Sequence, residues 1–520
     1  MELICNKKYL LLPASHHAVK KRLLFFSGDK LVYDLAVSLD YDQPDYLFPV
    51  HMARFMGQTL RVECDQDVDL HFQQTDKPPL DYAGKYRPLI HFTARRGWIN
   101  DPNGLVYHNG KYRMYYQHNP AATTWENMHW GACESEDLIH WRELEETLFP
   151  DEQGTMFSGS GMVDWQNASG LMKDGQPPLL FFYTCAGNTS ETSKDQPFTQ
   201  CLAYSHDGGK TLVKYSGNPL VTQFVDANRD PKVIHFAEDN SYIMAIFLDD
   251  HDFMLLKSNN LLDWQEIQRI RMPEDAECPD FYPLPADGDP AQTKWVLSAA
   301  SDRYFIGSFD GRHFTPETEL LQLNFGNASY AAQSWSDLPG NRRVRTAFAS
   351  VVIPGMPFGS CMNVPQQMKL KTVHGQLRLC AWPVDELRSL YQSTQTFSSF
   401  PVNGDIPFRH QVHARACDIT LRIKADTSFR LSLFGLEIRY DAALRLLHCQ
   451  DRQAPVRGVE GTVELRVLYD TVYAELFADE GSVFMGMTYM QDTALNRLTI
   501  SAEGAAPELL TVSELNAFWK

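Results

Sequence analysis

Short runs in which apolar and polar residues alternate recur along almost the whole chain, and they constrain its fold more than any other feature. Examples are Leu60–Cys64, Ile419–Ile423 and Val463–Val467. A period of two places one face of a strand on a core and the other face in water, so these runs predict half-buried antiparallel strands. Gly, Asn, Asp and Pro separate the runs, and helical periodicity is scarce. The chain is therefore predicted to be nearly all-β.

A weak internal repeat organises the middle of the chain. Its pattern is Ser-x-Asp/Asn-Leu/Gly, usually with a nearby aromatic residue, and its copies are Ser135–Trp141, Ser205–Gly209, Ser258–Trp264 and Ser308–Phe314. Asp or Asn in this position suits a hairpin turn, although such turns are common in any β protein. The intervals of 70, 53 and 50 residues fit a four-stranded blade with a long loop. With an unmarked stretch to about Lys371, the copies predict a five-bladed β-propeller.

The regions on either side of the repeat predict two further domains. A chain of 520 residues is too long for one ordinary core. We expect an N-terminal accessory, β-sandwich-like domain over residues 1–85 and a propeller catalytic domain over 86–385. A C-terminal β-sandwich domain is expected over 395–520, because that segment is long and strand-rich enough for one.

Charge and cysteine usage narrow the functional classes. The net charge of −18 argues against a polyanionic ligand such as a nucleic acid, and a neutral sugar is compatible with it. No stretch approaches the roughly 20 apolar residues of a membrane span. The ten cysteines form no CxxC pair, which argues against a zinc knuckle. Because no secretory segment is recognised, a cytoplasmic location is expected; a homo-oligomer stays open.

The most informative segment is Gly97–Gly104, with the sequence GWINDPNG. By composition it is a tight turn, since Asn, Asp, Pro and Gly are all turn residues. The residues after it predict a strand to His108, an Asn109-Gly110 turn and a second strand. Asp101 would then precede the first strand of a hairpin, at the central funnel of a propeller.

These segments resemble glycoside hydrolase family 32, the invertase, inulinase and levanase family. In that family a Trp-x-Asn-Asp-Pro-Asn-Gly segment carries the nucleophile, which corresponds to Asp101. The resemblance covers about residues 88–520. Its other motifs are Tyr116–Pro120, His129–Gly131, Phe157–Ser160, Arg229–Pro231, Glu277–Phe281 and Asp470–Gly481. It implies an exo-acting, retaining β-fructofuranosidase that takes sucrose, fructo-oligosaccharides or fructans.

The resemblance also implies roles for three carboxylates: Asp101 as nucleophile, Glu277 as acid/base and Asp230 as the residue that holds fructose hydroxyls. Cleavage of a ketofuranoside independently requires one carboxylate to trap an oxocarbenium-like cation and one acid to protonate the leaving oxygen. A raised pKa would keep Glu277 protonated until it is needed. The Asp101 and Glu277 carboxyls are expected about 5–5.5 Å apart, as in a retaining pair.

Sugar binding also needs aromatic faces and planar polar groups. The candidates are Asn100, Gln117, Trp125, Ser158, Arg229 and Trp335. Both tryptophans could instead be core residues, and Ser158 could be a turn hydroxyl. No His/Asp/Glu cluster has convincing metal-ligand spacing, so neither a metal nor a cofactor is expected.

Two features leave the substrate and the reaction open. The residue before the acid/base Glu is often Trp in related enzymes and is Ala276 here, which indicates a different wall beside the leaving group. A fructosyltransferase on the same scaffold is the closest alternative, because the motifs do not encode whether water or a sugar intercepts the intermediate. A non-catalytic carbohydrate-binding protein is disfavoured by the three carboxylates. A sialidase-like propeller is disfavoured because it needs an arginine cluster and a Tyr nucleophile.

Overall fold

A computed structural model describes residues 1–80, 82–351, 353–398, 400–402 and 406–519. Within these ranges strands dominate, which confirms the predicted all-β class. The helical segments there are short 3-10 helices at Ala53–Phe55, Pro339–Asn341, Asp385–Leu390, Asp479–Gly481 and Thr493–Leu495. None of the helices in the described ranges has the length and apolar character that crossing a membrane requires. Lys520, the last residue of the predicted third domain, lies outside the described residues.

The N-terminal region is β-rich and folds as two small sheets around its own apolar core. Strands β1, β6, β3 and β4 form one sheet, and β5, β2 and β7 form the other. The strands are β1 Glu2–Ile4, β2 Tyr9–Ala14, β3 Lys21–Ser27, β4 Lys30–Val37, β5 Tyr46–His51, β6 Thr59–Cys64 and β7 Gln73–Thr75. The core forms because alternate residues of β3 and β4, such as Leu23, Phe25 and Leu35, all face inward.

Three antiparallel four-stranded meanders follow in chain order, β8–β11, β12–β15 and β16–β19. Their strands are β8 Gly97–His108, β9 Lys111–Asn119, β10 His129–Ser135, β11 Arg142–Glu143, β12 Thr155–Val163, β13 Leu179–Ala186, β14 Phe198–Ser205, β15 Val213–Lys214, β16 Arg229–Phe236, β17 Ser241–Phe247, β18 Asp252–Ser258 and β19 Gln265–Arg271. Consecutive strands pair because each connection is a short turn or a surface loop.

Residues 280–383 form a larger connected sheet. Its strands are β20 Asp280–Ala286, β21 Asp289–Ser298, β22 Arg303–Phe309, β23 Phe314–Pro316, β24 Leu321–Gln322, β25 Ser329–Ser334, β26 Val344–Ala349, β28 Cys361–Met362, β29 Gln366–Val373 and β30 Gln376–Pro383. Strand β27, Phe358–Gly359, instead pairs in parallel with β8 of the first meander. This pairing joins the last part of the chain segment 280–383 to the first meander.

The repeat seen in the sequence is a structural repeat. Each copy follows the third strand of a sheet, and its Asp or Asn side chain accepts hydrogen bonds from two backbone N–H groups two to four residues further on. The acceptors are Asp137, Asp207, Asn260 and Asp310. This local turn chemistry closes the hairpin to the fourth strand.

The C-terminal region consists of two six-stranded antiparallel sheets, in the orders β31-β42-β33-β38-β39-β40 and β32-β41-β34-β35-β36-β37. The strands are β31 Tyr391–Ser398, β32 Phe408–Gln411, β33 Ala416–Lys424, β34 Ser428–Leu433, β35 Leu436–Asp441, β36 Leu446–Cys449, β37 Arg452–Pro455, β38 Thr462–Tyr469, β39 Tyr473–Ala478, β40 Val483–Thr488, β41 Arg497–Glu503 and β42 Leu509–Leu515. Their buried residues belong to one apolar cluster with residues of β20–β30. The architecture is that of a propeller and a sandwich, whereas the predicted domain boundaries stay predictions.

The inner strands β8, β12, β16, β20 and β25 lie side by side and position the site. Strand β8 contacts β12, β12 contacts β16, β16 contacts β20, β20 contacts β25, and β25 contacts β8 again. The predicted hairpin is confirmed, with Asn109 and Gly110 at φ 49° and 77° between β8 and β9. The expectation that Asp101 precedes the first strand is wrong. Strand β8 begins at Gly97, because pairing with β9 continues past Asp101 across a bulge.

Candidate active site

Bulges in the inner strands bring polar side chains to one point. The pairing of β8 shifts register between Ile99 and Pro102, that of β12 between Met156 and Gly159, and that of β16 between Arg229 and Lys232. Asp101, Ser158 and Asp230 lie inside these three irregularities. A bulge inserts an unpaired residue and re-aims its side chain, which explains how three separate sheets supply one pocket. The cavity between them is lined by these three residues together with Cys278 and Gln333.

Asp101 is buried and accepts hydrogen bonds from uncharged groups. Asn100 Nδ2 donates to it over 3.1 Å, Ser158 Oγ over 2.5 Å and Cys278 Sγ over 3.3 Å. Gln117 Nε2 lies 3.4 Å away and also contacts Ser158. Burial raises the pKa of Asp101, the hydrogen bonds from Ser158, Asn100 and Cys278 oppose that rise, and the charge of Glu277 adds to it.

Asp230 lies beside Asp101 in the same pocket and holds a proton more firmly. Its backbone has φ 64°, an uncommon conformation for a residue with a side chain, and its N–H donates to Thr184 Oγ1. Cys278 N–H donates to its carboxylate over 3.2 Å. Burial raises the pKa of Asp230 to about 7; Arg229 opposes this, and the charges of Asp101 and Glu277 add to it.

Glu277 lies just before β20 and reaches the pocket through an unusual backbone. Glu277 and Cys278 have φ of 61° and 44°, so two successive residues adopt the left-handed conformation. The carboxylate of Glu277 accepts hydrogen bonds from Arg229 Nη2 over 2.5 Å and from Tyr330 OH over 2.6 Å. This backbone turn places Glu277 at the side of the pocket that Tyr330 and Arg229 close.

The pKa of Glu277 differs from the sequence-based expectation. Burial raises this pKa, but the hydrogen bonds from Tyr330 and Arg229 and the charge of Arg229 outweigh burial, so it lies below its ordinary value. The expectation of a raised pKa for Glu277 is therefore wrong for this arrangement of side chains. The physical reason is that both partners stabilise the ionised form, whereas it is the pKa of Asp230 that burial raises, to about 7.

Five of the six predicted sugar-binding residues lie at the pocket or its rim. Asn100, Gln117 and Ser158 contact Asp101, and Arg229 contacts Glu277. Trp125 lies in the loop between β9 and β10, is half exposed, and packs edge-to-face against Phe157, the residue before Ser158. Its indole therefore stands at the rim and keeps a face open to solvent.

Trp335 is a core residue, so the prediction that it offers a sugar-stacking face is wrong. It is 1% exposed, and its ring stacks on Trp141 with centroids 6.0 Å apart. Its Nε1–H donates to the carbonyl oxygen of Arg113 over 2.9 Å. A ring that is covered on its face and satisfied at its nitrogen has nothing left to present to a ligand.

Gln333, which lines the cavity, and two residues that contact the carboxylates, Cys278 and Tyr330, were not predicted. Cys278 directly follows Glu277 and contacts both aspartates, so its place in that motif was the available signal. Tyr330 comes 53 residues after Glu277 and reaches it from β25. No local pattern marks it, since only the packing of the inner strands brings the two together.

The carboxylate pocket also has the outline of a small cation site. Ligand atoms of Asp101, Asp230 and Cys278 all lie within 4.8 Å of one another. Burial raises the pKa of the Cys278 thiol well above its ordinary value, and the two carboxylates raise it further, so the thiol keeps its proton and donates to the aspartates. The pocket is built as a proton-holding cluster, and the absence of a metal requirement stays a prediction.

Comparison with known proteins identifies the family. The family model described as "Glycosyl hydrolases family 32 N-terminal domain" matches residues 91–383. A levanase of Bacillus subtilis (strain 168) is 31% identical over 84% of this chain and 72% of the relative, and an extracellular exo-inulinase of Aspergillus niger is 28% identical over 82% and 88%. The crystal structure of the exo-inulinase from Aspergillus awamori superposes with a TM-score of 0.76 at 25% identity, over 84% of this chain and 100% of that one. The chain therefore belongs to glycosyl hydrolase family 32 and is a glycoside hydrolase.

Proposed function

We propose that this glycoside hydrolase is an exo-acting, retaining β-fructofuranosidase that removes terminal β-D-fructofuranosyl residues from sucrose, fructo-oligosaccharides or fructans. The observation that carries the proposal is the pocket in which Asp101 and Asp230 lie side by side, with Glu277 held at its wall by Arg229 and Tyr330. Relatives named levanase and exo-inulinase support the substrate class.

In the proposed mechanism, Asp101 attacks the anomeric carbon while Glu277 protonates the departing oxygen, which gives a covalent fructosyl-enzyme. Glu277 then takes a proton from water, and the water displaces Asp101 from the same carbon. Two inversions at that carbon give net retention. Asp101 suits the first role because its hydrogen-bond partners fix both oxygens without a cation that would quench its nucleophilicity.

The proton required by Glu277 is supplied when substrate binds. Fructose hydroxyls that donate to Asp230 stabilise its anion and lower its pKa from about 7. A sugar ring over Glu277 removes water from it and draws Tyr330 or Arg229 toward the sugar, and both changes raise the pKa of Glu277. Both shifts favour a protonated Glu277 and an ionised Asp230 in the complex.

Substrate preference is set at the leaving-group side, where Ala276 precedes the proposed acid/base. Its small side chain leaves the neighbouring wall to other residues, so the leaving group meets a wider opening than a Trp would give. We expect fructans and short fructo-oligosaccharides to be cleaved at least as well as sucrose.

A screen of the purified enzyme on sucrose, kestose, inulin and levan tests the proposed function. Free fructose as the first product from the non-reducing end supports an exo-hydrolase. Longer fructosylated products at high sucrose would mean that the alternative, a fructosyltransferase, is correct. Binding of these sugars without turnover would mean a carbohydrate-binding protein.

We also propose five blades for the propeller and domains over residues 1–85, 86–385 and 395–520. The ring of contacts through β8, β12, β16, β20 and β25 supports the blade count, because each of these strands would be the innermost strand of one blade. Limited proteolysis tests the boundaries, since cleavage should concentrate near residues 85 and 390. Cleavage within 97–271 first would contradict them.

The cytoplasmic location stays a proposal, and the substrate would then be a sugar small enough to be imported. Fractionation of expressing cells tests it. Hydrolysis of extracellular levan by intact cells would show that the location is wrong.

A further inference from the structure

The N-terminal sheets hold the loop that carries Trp125. Residues 2–75 lie outside the family match, yet they contact the catalytic region at this loop. Glu126, the residue after Trp125, pairs with Lys20 Nζ over 2.5 Å and with Arg22 Nη2 over 3.5 Å. Both cations come from the start of β3 or the turn before it. The position of Glu126, and hence of Trp125, is tied to the N-terminal region.

The next residue of the loop is held by the same region. The side-chain amide of Asn127 pairs with the backbone of Ala36 in both directions, each hydrogen bond being 2.8 Å long. Asn127 has φ 50°, so the loop turns sharply at this contact. An amide that accepts from the N–H and donates to the C=O of one residue acts like an added strand residue, and it fixes the loop in orientation as well as in distance.

On its other side, the Trp125 loop contacts strand β12 of the active site. The ring of Trp125 meets Phe157 edge-to-face with centroids 6.0 Å apart, and Phe157 immediately precedes Ser158, which donates to Asp101. Asn119 Nδ2 donates to the carbonyl oxygen of Thr124 and closes the base of the loop. Trp125 is therefore placed at the pocket rim by the catalytic sheets and braced from outside by the N-terminal sheets.

The N-terminal region also holds a second rim loop, which lies between β13 and β14. Asp34 accepts hydrogen bonds from the backbone N–H groups of Glu191 and Thr192 and from Thr192 Oγ1, within the loop between β13 and β14. Arg22 Nη1 pairs with Asp34 over 2.6 Å while its Nη2 faces Glu126. Arg22 thus joins two rim loops through one guanidinium group, a geometry that a planar two-pronged cation supports.

We propose that the N-terminal region supports the substrate pocket and that Arg22 is its positioning residue, which holds Trp125 as a wall against which a sugar ring of the bound β-fructoside packs. This inference rests on the proposed function, since it requires such a substrate. An indole face contributes similarly to substrate and transition-state binding, so its displacement raises KM and leaves kcat nearly unchanged.

The test is a double-mutant cycle in the full chain with Arg22→Ala, Trp125→Ala and both together, assayed on sucrose and 1-kestose. Arg22→Ala should raise KM by about three- to tenfold, the cost of leaving one interface side chain unordered, with kcat within about twofold. Trp125→Ala should raise KM at least as much. In the Trp125→Ala background Arg22→Ala should add almost nothing, because Arg22 acts through Trp125. Arg22→Lys should recover part of the effect.

Lys30→Ala is the matched control. Lys30 pairs with Glu152 across the same interface over 3.5 Å, and both side chains are largely exposed, so KM should stay at the wild-type value. Thermal unfolding of each variant checks folding, and Glu126→Gln replaces Arg22→Ala if that variant does not fold.

An unchanged KM in Arg22→Ala, or effects of Arg22→Ala and Trp125→Ala that simply multiply, would overturn the inference and leave the proposed function standing. Failure of the unsubstituted chain to cleave either sugar would overturn the proposed function, and the inference with it.

Discussion

Two clusters of buried carboxylates in this molecule are built in opposite ways. In the active site, Asp101 and Asp230 lie together with uncharged donors, and burial raises the pKa of both. Between the catalytic region and the C-terminal sheets, Asp470 is also buried, but it accepts hydrogen bonds from the backbone N–H groups of residues 89, 90, 91 and 471. His91 Nδ1 also forms a hydrogen bond with the Asp470 carboxylate, over 2.9 Å.

The Asp470 cluster stabilises the fold, whereas the active-site cluster is arranged for reactivity. The five hydrogen-bond donors around Asp470 satisfy a buried carboxyl group and join two parts of the fold. Asp101 and Asp230 are left undercompensated, and Asp230 and Glu277 also occupy strained backbone conformations. A bound sugar supplies the missing hydroxyl donors and, in the transition state, a developing cation. These carboxylates are therefore stabilised more in the transition state than in the free enzyme. Substitutions in the two clusters should therefore have opposite consequences.

Loss of the proposed nucleophile should have the largest effect on activity. Asp101→Ala should reduce kcat for sucrose on the order of 10⁴-fold or more, since it removes the group that forms the covalent intermediate. The free energy of unfolding should not fall, because an undercompensated buried charge is removed. Steady-state kinetics and urea unfolding measure the two; activity within tenfold of wild type would contradict the role.

Asp470→Ala should lower stability and leave the activity of the folded protein unchanged. It leaves His91 and several backbone N–H groups without their buried partner and should lower the free energy of unfolding by about 3–5 kcal/mol. The fraction that remains folded should keep its kcat. Asp451→Ala is the control, because the Asp451 side chain is 74% exposed and its removal should change stability by less than about 0.5 kcal/mol.

Asp230→Asn should stabilise the protein, and more so at higher pH. The folded protein holds the Asp230 proton up to a pKa of about 7, whereas the unfolded chain loses it near 3.8, so wild-type stability declines between these values. The neutral amide avoids that loss, and the gain at pH 8 relative to pH 5 should be on the order of 2–4 kcal/mol. Thermal unfolding at the two pH values measures it; an equal effect at both would refute the raised pKa.

His91 also makes stability decline as pH rises, but over a higher pH range. Although burial lowers the pKa of His91, its hydrogen bonds to Asp470 and Glu475 outweigh burial and raise it to about 9. Its contribution is complete below pH 6.5 and is lost as pH rises through 9, in total on the order of 3 kcal/mol. His91→Gln should remove this part of the decline. Unfolding free energies of both proteins at pH 6 and pH 9.5 test it, and parallel profiles would show that His91 is neutral in the folded state.

The sequence predicted what depends on neighbours in the chain. Alternation, the Asn109-Gly110 turn and the Asp137-type turns act over a few residues, so the all-β class and the sheet repeat could be inferred. Trp335 was misassigned because its partner Trp141 is far away in sequence. The pKa direction of Glu277 was wrong because Tyr330 and Arg229 come from strands β25 and β16, which are distant from Glu277 in sequence. Such contacts follow only from the packed arrangement of the inner strands.

The most direct test of the account is the behaviour of Glu277→Ala with fructosyl fluoride. Without an acid, sucrose cleavage should be severely slowed, but fluoride leaves with little protonation and should still give the covalent adduct on Asp101. Lacking a base for water, the adduct should accumulate and be visible by mass, and azide should restore turnover because it needs no deprotonation. Asp101→Ala should form no adduct. Near-wild-type sucrose turnover by Glu277→Ala, or azide rescue of Asp101→Ala alone, would contradict the assigned roles.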